Sequence, residues 1–293
     1  MLLSRRIRNI PSLDARMEDH NVYHSQFRVG VEIRRGVARD WAHWPETLRR
    51  GHDSARSSAI LALTDGLGVR SQGRERLLRA GECLLDLRKN CWGVREEGYA
   101  ISLVVEWEPG TFGRRIEDSF ESLRISQRGM EVLRTSAQTI ARSQSSLLEV
   151  RRAVLAIFTI LRAHGVPLHA PSADAFVEKV SEQELVLGHI IDRALSHRGD
   201  RVGMVDLEDL SGWPERSLRR YLRQHLRKYH FNAIAWRELH RRWRLSTGLA
   251  LMGARGATTE AVAQVLGYSS PTAFCRAFAS AGLPSPGSIR RLL

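Results

Sequence analysis

Cysteine is scarce in this chain. Cys83, Cys91 and Cys275 are the three in 293 residues, an odd count with no CxxC pair and no metal-ligand spacing. That excludes a disulfide scaffold and a cysteine-held zinc site, and it fits a reducing cytosol. Long apolar runs are missing too: none approaches the ~20 residues of a membrane span, and no signal peptide opens the chain. The expectation is a soluble, cytoplasmic protein with no membrane partner. Catalytic signatures are equally absent, with no GxSxG elbow, Walker-type loop or dinucleotide glycine fingerprint. His20 and His24 stand four apart, but no third ligand is near them and no HxH pair occurs. Neither an enzyme nor a bound cofactor or metal is expected. Lysine is the last scarcity. Lys89, Lys179 and Lys228 leave 42 of the 45 basic residues as arginine, and a bias that broad reflects a GC-rich genome more than a binding site.

What the chain does have is positive charge. Its 45 Lys and Arg against 32 Asp and Glu give a formal +13, which points to a polyanionic partner. The excess concentrates late, since residues 199–293 hold 15 basic and seven acidic side chains. A hydrophobic content of 43% is enough for a core, and the length suits two domains with a helical connector.

Residues 1–50 carry little pattern. Met1–Arg16 reads as a basic arm or first strand, and Phe27–Ile33 alternates as a strand. Trp41, His43, Trp44 and Pro45 read as an aromatic loop over a barrel. Between 59 and 107 short strands alternate with glycine turns: Ala59–Thr64, the stretch around Arg76–Asp86, and Ala100–Val105. From 116 to 165 the period becomes helical, with Phe120, Leu123, Met130, Leu133, Ile140, Val154, Ile157, Phe158 and Leu161 inward. Residues 166–176 read as a linker, and Phe176–His197 as an amphipathic helix.

The last stretch is the most informative. Thr258 and Thr259 offer N-caps to a helix carrying Ala261, Val262, Val265 and Leu266, and Gly267 stops it. Ser269 or Ser270 caps a second helix with Pro271 at its first position. There Phe274, Ala277 and Phe278 face inward, while Thr272, Cys275 and Arg276 point away. This is a helix-turn-helix layout. Val262-Ala263, Leu266-Gly267-Tyr268-Ser269, Phe274, Arg276-Ala277-Phe278, Ser285-Pro286 and Ile289-Arg290 resemble the signature of AraC/XylS-type transcription regulators, without gaps from Ala261 to Arg290. One departure is local: Gly282 stands one position early and Pro284 is added, so a reshaped loop is expected.

The resemblance implies a second, earlier helix-turn-helix, and residues 205–227 occupy its place. Leu207, Leu210, Trp213, Leu218 and Leu222 form its core, Gly212 its turn. Arg216, Arg219, Arg220 and Arg223 project outward at i, i+3, i+4 and i+7. Two residues break the family pattern: Pro214 replaces a capping Ser, and Glu208 replaces a small Ala at a helix interface. Ala233–Met252 should be the connecting helix, capped by Asn232. Gly248 there replaces a usual Ala, a small cost of about 1 kcal/mol. Arg76–Asp86 resembles the cupin-type sensor barrel of the same family.

The implied fold is α+β, with a cupin-like β-barrel at 1–115, a helical dimerisation or cover segment at 116–176, and an all-α double helix-turn-helix at 177–293. The implied function is sequence-specific DNA binding by two recognition helices in successive major grooves, by family habit as an activator. Arg216, Arg219, Arg220, Thr272, Cys275 and Arg276 would face bases. Arg223, Arg227, Lys228, Arg241 and Arg290 would lie toward phosphates. Implied partners are double-stranded DNA, RNA polymerase for an activator, a small-molecule effector in the barrel and a second copy of the chain. Two readings from other classes stand beside this one: an adaptor that keeps the fold without binding DNA, and a metal-dependent cupin enzyme.

Overall fold

A computed structural model describes residues 1–37, 56–65, 67–71, 74–85, 93–96, 99–116, 122–170, 173–196, 202–231 and 233–292. The expected aromatic loop at Trp41–Pro45, Cys91, Asp86 and the Asn232 cap fall outside these residues. A cupin-like β half precedes an all-α half, as the sequence implied. The strands are β1 (Leu2–Ile10), β2 (Ala15–Tyr23), β3 (Phe27–Arg35), β4 (Ser57–Ala62), β5 (Leu67–Ser71), β6 (Arg74–Leu78), β7 (Glu82–Leu85), β8 (Gly93–Glu96), β9 (Tyr99–Trp107) and β10 (Ser122–Arg124). They form a seven-stranded sheet in the order β1-β2-β3-β9-β4-β7-β10 and a three-stranded sheet β6-β5-β8. The basic stretch Met1–Arg16 is thus an ordered edge strand and the start of its partner.

Register explains the core. Phe27, Val29 and Val31 of β3 pair with Trp107, Val105 and Leu103 of β9, placing all six on one face. Ala59 and Leu61 of β4 continue that face from the other side of β9. Helices α1 (Gln127–Ala141) and α2 (Leu147–Ala163) cover it with Met130, Leu133, Ile140, Val154, Ile157, Phe158 and Leu161, all buried. Each helix starts at a serine: Ser126 accepts from Gly129 N, and Ser146 forms a reciprocal capping box with Glu149. At one end of this face Phe27, Phe112, Phe158 and Phe176 pack edge to face, with centroids 4.9–5.7 Å apart.

Phe176 therefore belongs to the sheet core and does not begin a helix, contrary to the sequence expectation. Helix α3 (Glu182–Ser196) starts later because Ser181 and Glu184 cap it: Glu184 N donates to Ser181 Oγ at 3.3 Å, and Ser181 N donates to Glu184 Oε2 at 2.8 Å. Six helices follow: α4 (Met204–Ser211), α5 (Glu215–Lys228), α6 (Trp236–Met252), α7 (Thr259–Val265), α8 (Pro271–Ser280) and α9 (Pro286–Leu292). The connecting helix α6 opens at Trp236, three residues later than expected, with Ala235 as an N-cap that makes no side-chain hydrogen bond. Trp236 supplies another anchor, its Nε1 donating to Val202 O at 2.7 Å.

The opposite face of β1–β2–β3 carries the helical half. On that face the Tyr23 ring packs tilted against Phe231, beyond the end of α5, with centroids 5.0 Å apart. Asp192 of α3 accepts from Ser4 Oγ at 2.6 Å and Arg6 Nε at 3.0 Å. Arg8 donates to Thr247 Oγ1, lies 4.9 Å over the Trp243 ring and pairs with Asp19 at 3.3 Å. At the hairpin tip, Ile10, Leu13, Ala15 and Met17 join one buried cluster with Leu245, Leu249, Val262, Leu266, Phe274, Phe278 and Ile289. The face of the first hairpin turned to the helical half is thus buried, whereas Ile7, Asn9 and Arg16 on its other face are exposed.

Candidate nucleic-acid interface

Two helix-turn-helix units stand at either end of α6. In the second, Thr258 Oγ1 accepts from Ala261 N at 3.0 Å and caps α7. Gly267 makes the turn with φ 67, in the left-handed region where glycine carries no side-chain penalty. Ser270, the second of the two candidate serines, caps α8 by accepting from Ala273 N at 3.1 Å, and Pro271 takes the first position. Phe274 and Phe278 are fully buried and meet edge to face at 4.6 Å. This leaves Thr272 and Arg276 exposed and Cys275 half-buried on the outer side of α8. The loop expected to be reshaped follows α8. Gly282 adopts φ 69, Leu283 N returns to Phe278 O at 3.0 Å, and Ser285 then leads into α9.

The first unit follows the same plan with weaker capping. Gly212 turns at φ 68, its N donating to Glu208 O at 2.7 Å. Pro214 is the N-cap of α5 and offers no side-chain acceptor, so it sits just outside the helix and not in its first turn. Glu208 is half-buried, and one of its carboxylate oxygens is buried with no hydrogen-bond partner. The unusual acid at this interface therefore does not fully escape to solvent, a real cost for the first unit. Leu218, Leu222 and Leu226 hold α5 against α3 and α6. Arg216, Arg219, Arg220 and Arg223 all point outward and are exposed.

Those arginines are not equivalent. Arg219 pairs with Glu215 one turn earlier, both largely exposed. Arg220 lies 5.0 Å over the Tyr221 ring. Arg216 and Arg223 have no acidic partner among the described residues. Of the residues expected toward phosphates, Arg227 is exposed and Arg241 donates to Ser280 Oγ at 3.1 Å, tying α6 to α8. Lys228 turns away, bound to Glu184 at 2.6 Å and Glu178 at 3.7 Å, so its charge is already used. Nothing is described of the Arg290 side chain.

The sequence reading missed what stiffens α6. His240 stacks between Trp236 and Trp243 at 5.4 and 5.7 Å, and Arg244 lies 3.8 Å over Tyr268 in the second unit's turn. Burial pushes the pKa of His240 down to about 4, with Arg244 adding to the shift. His225, in the core of the first unit beside Tyr229, is held at about 4 by the same cause. The Trp-x3-His-x2-Trp spacing was the available signal, because it places all three rings on one helical face.

No family model matches the sequence, and no curated protein does. Among solved structures, unsaturated fatty acid-bound ToxT from Vibrio cholerae is 12% identical with TM-score 0.35, covering 93% of this chain and 97% of its own. The AraC-like transcriptional activator CuxR is 12% identical with TM-score 0.34, over 72% of this chain and 74% of its own. The EutQ protein of Clostridium difficile is 11% identical with TM-score 0.26, over 34% of this chain and 75% of its own. At TM-scores below 0.5 these are likenesses only, and the interface is read from the chain's own residues. Among those described, no group of three or more His, Cys, Asp or Glu could hold a metal ion, and no helix is long and apolar enough to cross a membrane.

Proposed function

We propose that this chain is a sequence-specific DNA-binding transcription regulator of the AraC/XylS type, acting in the cytoplasm. One observation carries the reading: two glycine-turned helix-turn-helix units share a single stiffened helix, and each presents an exposed polar face on its second helix. Helices on such a frame enter successive major grooves about 34 Å apart on one side of the duplex. Arg216, Arg220, Thr272, Cys275 and Arg276 would read base edges, Arg219 once released from Glu215. Arg223, Arg227 and Arg241 would hold phosphates, and bidentate arginine suits guanine as well as phosphate. As an activator the protein would engage RNA polymerase, and it would act as a homodimer through α1 and α2, answering to a small-molecule effector bound in the β half.

The test is selection of a random duplex pool by the full chain at physiological salt. Two half-motifs about 10 bp apart would support reading by both units. A single short motif would leave sequence reading to the second unit alone. No enrichment would refute the proposal in favour of an adaptor.

A further inference from the structure

Glu215 is the one acidic side chain on the second helix of either helix-turn-helix unit. Helix α5 otherwise turns Arg216, Arg219, Arg220, Arg223 and Arg227 outward, and α8 contains no acid. The acid lies in the first turn of α5, and the N-terminal residues of such a helix are the ones that meet base edges. A carboxylate brought there faces the phosphate polyanion and is repelled by it. It therefore weakens sequence-independent binding in a helix whose other charges all favour it.

Geometry ties this acid to one arginine. Glu215 Oε1 accepts from a guanidinium nitrogen of Arg219 one turn later, and the two side chains are 50% and 61% exposed. Among the described residues, Arg219 is the one member of the outward row with a carboxylate partner. An exposed i,i+4 pair holds by a factor of only about two, so competing partners on each side can separate it. Both freed groups have a complementary base. Cytosine N4 donates to a carboxylate, and guanine O6 and N7 accept from a guanidinium. A helical turn rises roughly 5.4 Å and a base step about 3.4 Å, so side chains one turn apart reach bases one or two steps apart.

We propose that, given the DNA-binding reading above, Glu215 is the specificity-determining residue of the first unit. On mismatched DNA it withholds Arg219 from phosphates. At a cognate site its carboxylate accepts from a cytosine N4 amino group, and Arg219 passes to the guanine of a second G·C pair one or two steps away. A wrong base leaves the acid unpaired in the groove, so discrimination comes from repulsion as well as from contact.

The test compares the full chain with Glu215→Gln, which keeps the shape and removes the charge, in parallel selections from a random duplex pool. Anisotropy titrations of the parent-enriched duplex and of random duplex accompany them. The parent motif should contain two G·C pairs within two steps of each other in one half-site. Glu215→Gln should bind random duplex at least about twofold tighter and lose the requirement for one of those pairs. Its ratio of specific to random affinity should fall by about fivefold or more. Its salt dependence on random duplex should steepen by about one phosphate contact as Arg219 is freed. On an Arg219→Gln background that steepening should vanish, and its persistence would overturn the proposal. A purely structural role at the α5 N-terminus, which Pro214 leaves without a side-chain cap, would make the charge loss weaken both kinds of DNA alike. That result, or an unchanged motif and ratio, would also overturn it. A parent chain that enriches no motif refutes the regulator reading itself, whereas a parent motif that Glu215→Gln reproduces refutes just the role of Glu215.

Discussion

Replacing Gly248 by alanine tests how closely α6 approaches Phe274 of α8. In an isolated helix the change would stabilise by about 1 kcal/mol, and by helix propensity alone this glycine is a small loss against alanine. The structure reverses the sign. A Cβ at position 248 would stand 3.0 Å from Phe274 Cε2, 3.1 Å from Leu266 Cδ1 and 3.2 Å from Phe274 Cζ. Comfortable carbon contacts lie near 3.5–4.0 Å, roughly half an ångström further out. Phe274 has no room to retreat, being fully buried between Tyr268 at 5.1 Å and Phe278 at 4.6 Å. Overpacking of this kind costs about 1–3 kcal/mol, which exceeds the propensity gain. Gly248→Ala should therefore destabilise by roughly 1 kcal/mol, and Gly248→Val by clearly more. Thermal unfolding of the full chain, followed by tryptophan fluorescence, reads both. An alanine variant that melts at or above the parent temperature would refute the reasoning, because it would mean that the Phe274 ring yields.

Four further outcomes are expected. Gly212→Ala should cost about 1–2 kcal/mol through its φ of 68 alone, since an added Cβ there meets nothing within 4 Å; a neutral result by thermal melting would argue against a left-handed turn. Ser270→Ala should cost about 1 kcal/mol by removing the α8 cap, measurable in the same way. His225 and His240 have folded pKa values near 4, below the ordinary 6.5, so the unfolded chain binds more protons between those limits. Their stabilising effect is complete above pH 6.5 and is lost as pH falls toward 4, roughly 2–3 kcal/mol for each ring; His240→Phe should flatten the melting-temperature profile over that window. Arg220→Ala and Arg276→Ala should each weaken specific DNA binding by ~1–3 kcal/mol if they contact guanine, whereas equal losses on random duplex would make them phosphate contacts.

Local chemistry was legible in the sequence wherever it acts within a few residues. The Thr258 and Ser270 caps, the Gly212 and Gly267 turns, and the outward row from Arg216 to Arg223 all follow from short-range spacing. Phe176 and Trp236 show where that reasoning stops. Phe176 obeys the α3 periodicity, yet tertiary packing among three other phenylalanines claims it, and the Ser181 cap decides where the helix begins. Gly248 was misjudged for a related reason, since its neighbours Leu266 and Phe274 come from other helices. The open groove between β1, the α1–α2 turn and α3 lay beyond sequence reasoning altogether. Leu3, Leu147 and Leu185 become neighbours only when the edge strand meets a helix more than 170 residues later.

Burial of the first hairpin's tip under the late helices bears on how the chain comes to be folded. Ile10, Leu13 and Met17 leave the ribosome early, but the cluster that shelters them includes Leu283 and Ile289. At about 5–20 residues per second, those apolar side chains wait on the order of 15–50 s for their partners. During that interval the hairpin is an uncovered edge, open to wrong pairing. For the same reason a fragment beginning at residue 199 would carry a second helix-turn-helix with part of its core missing. The second helix-turn-helix is continuous in sequence, yet its core also takes in Ile10, Leu13 and Met17 from the first hairpin.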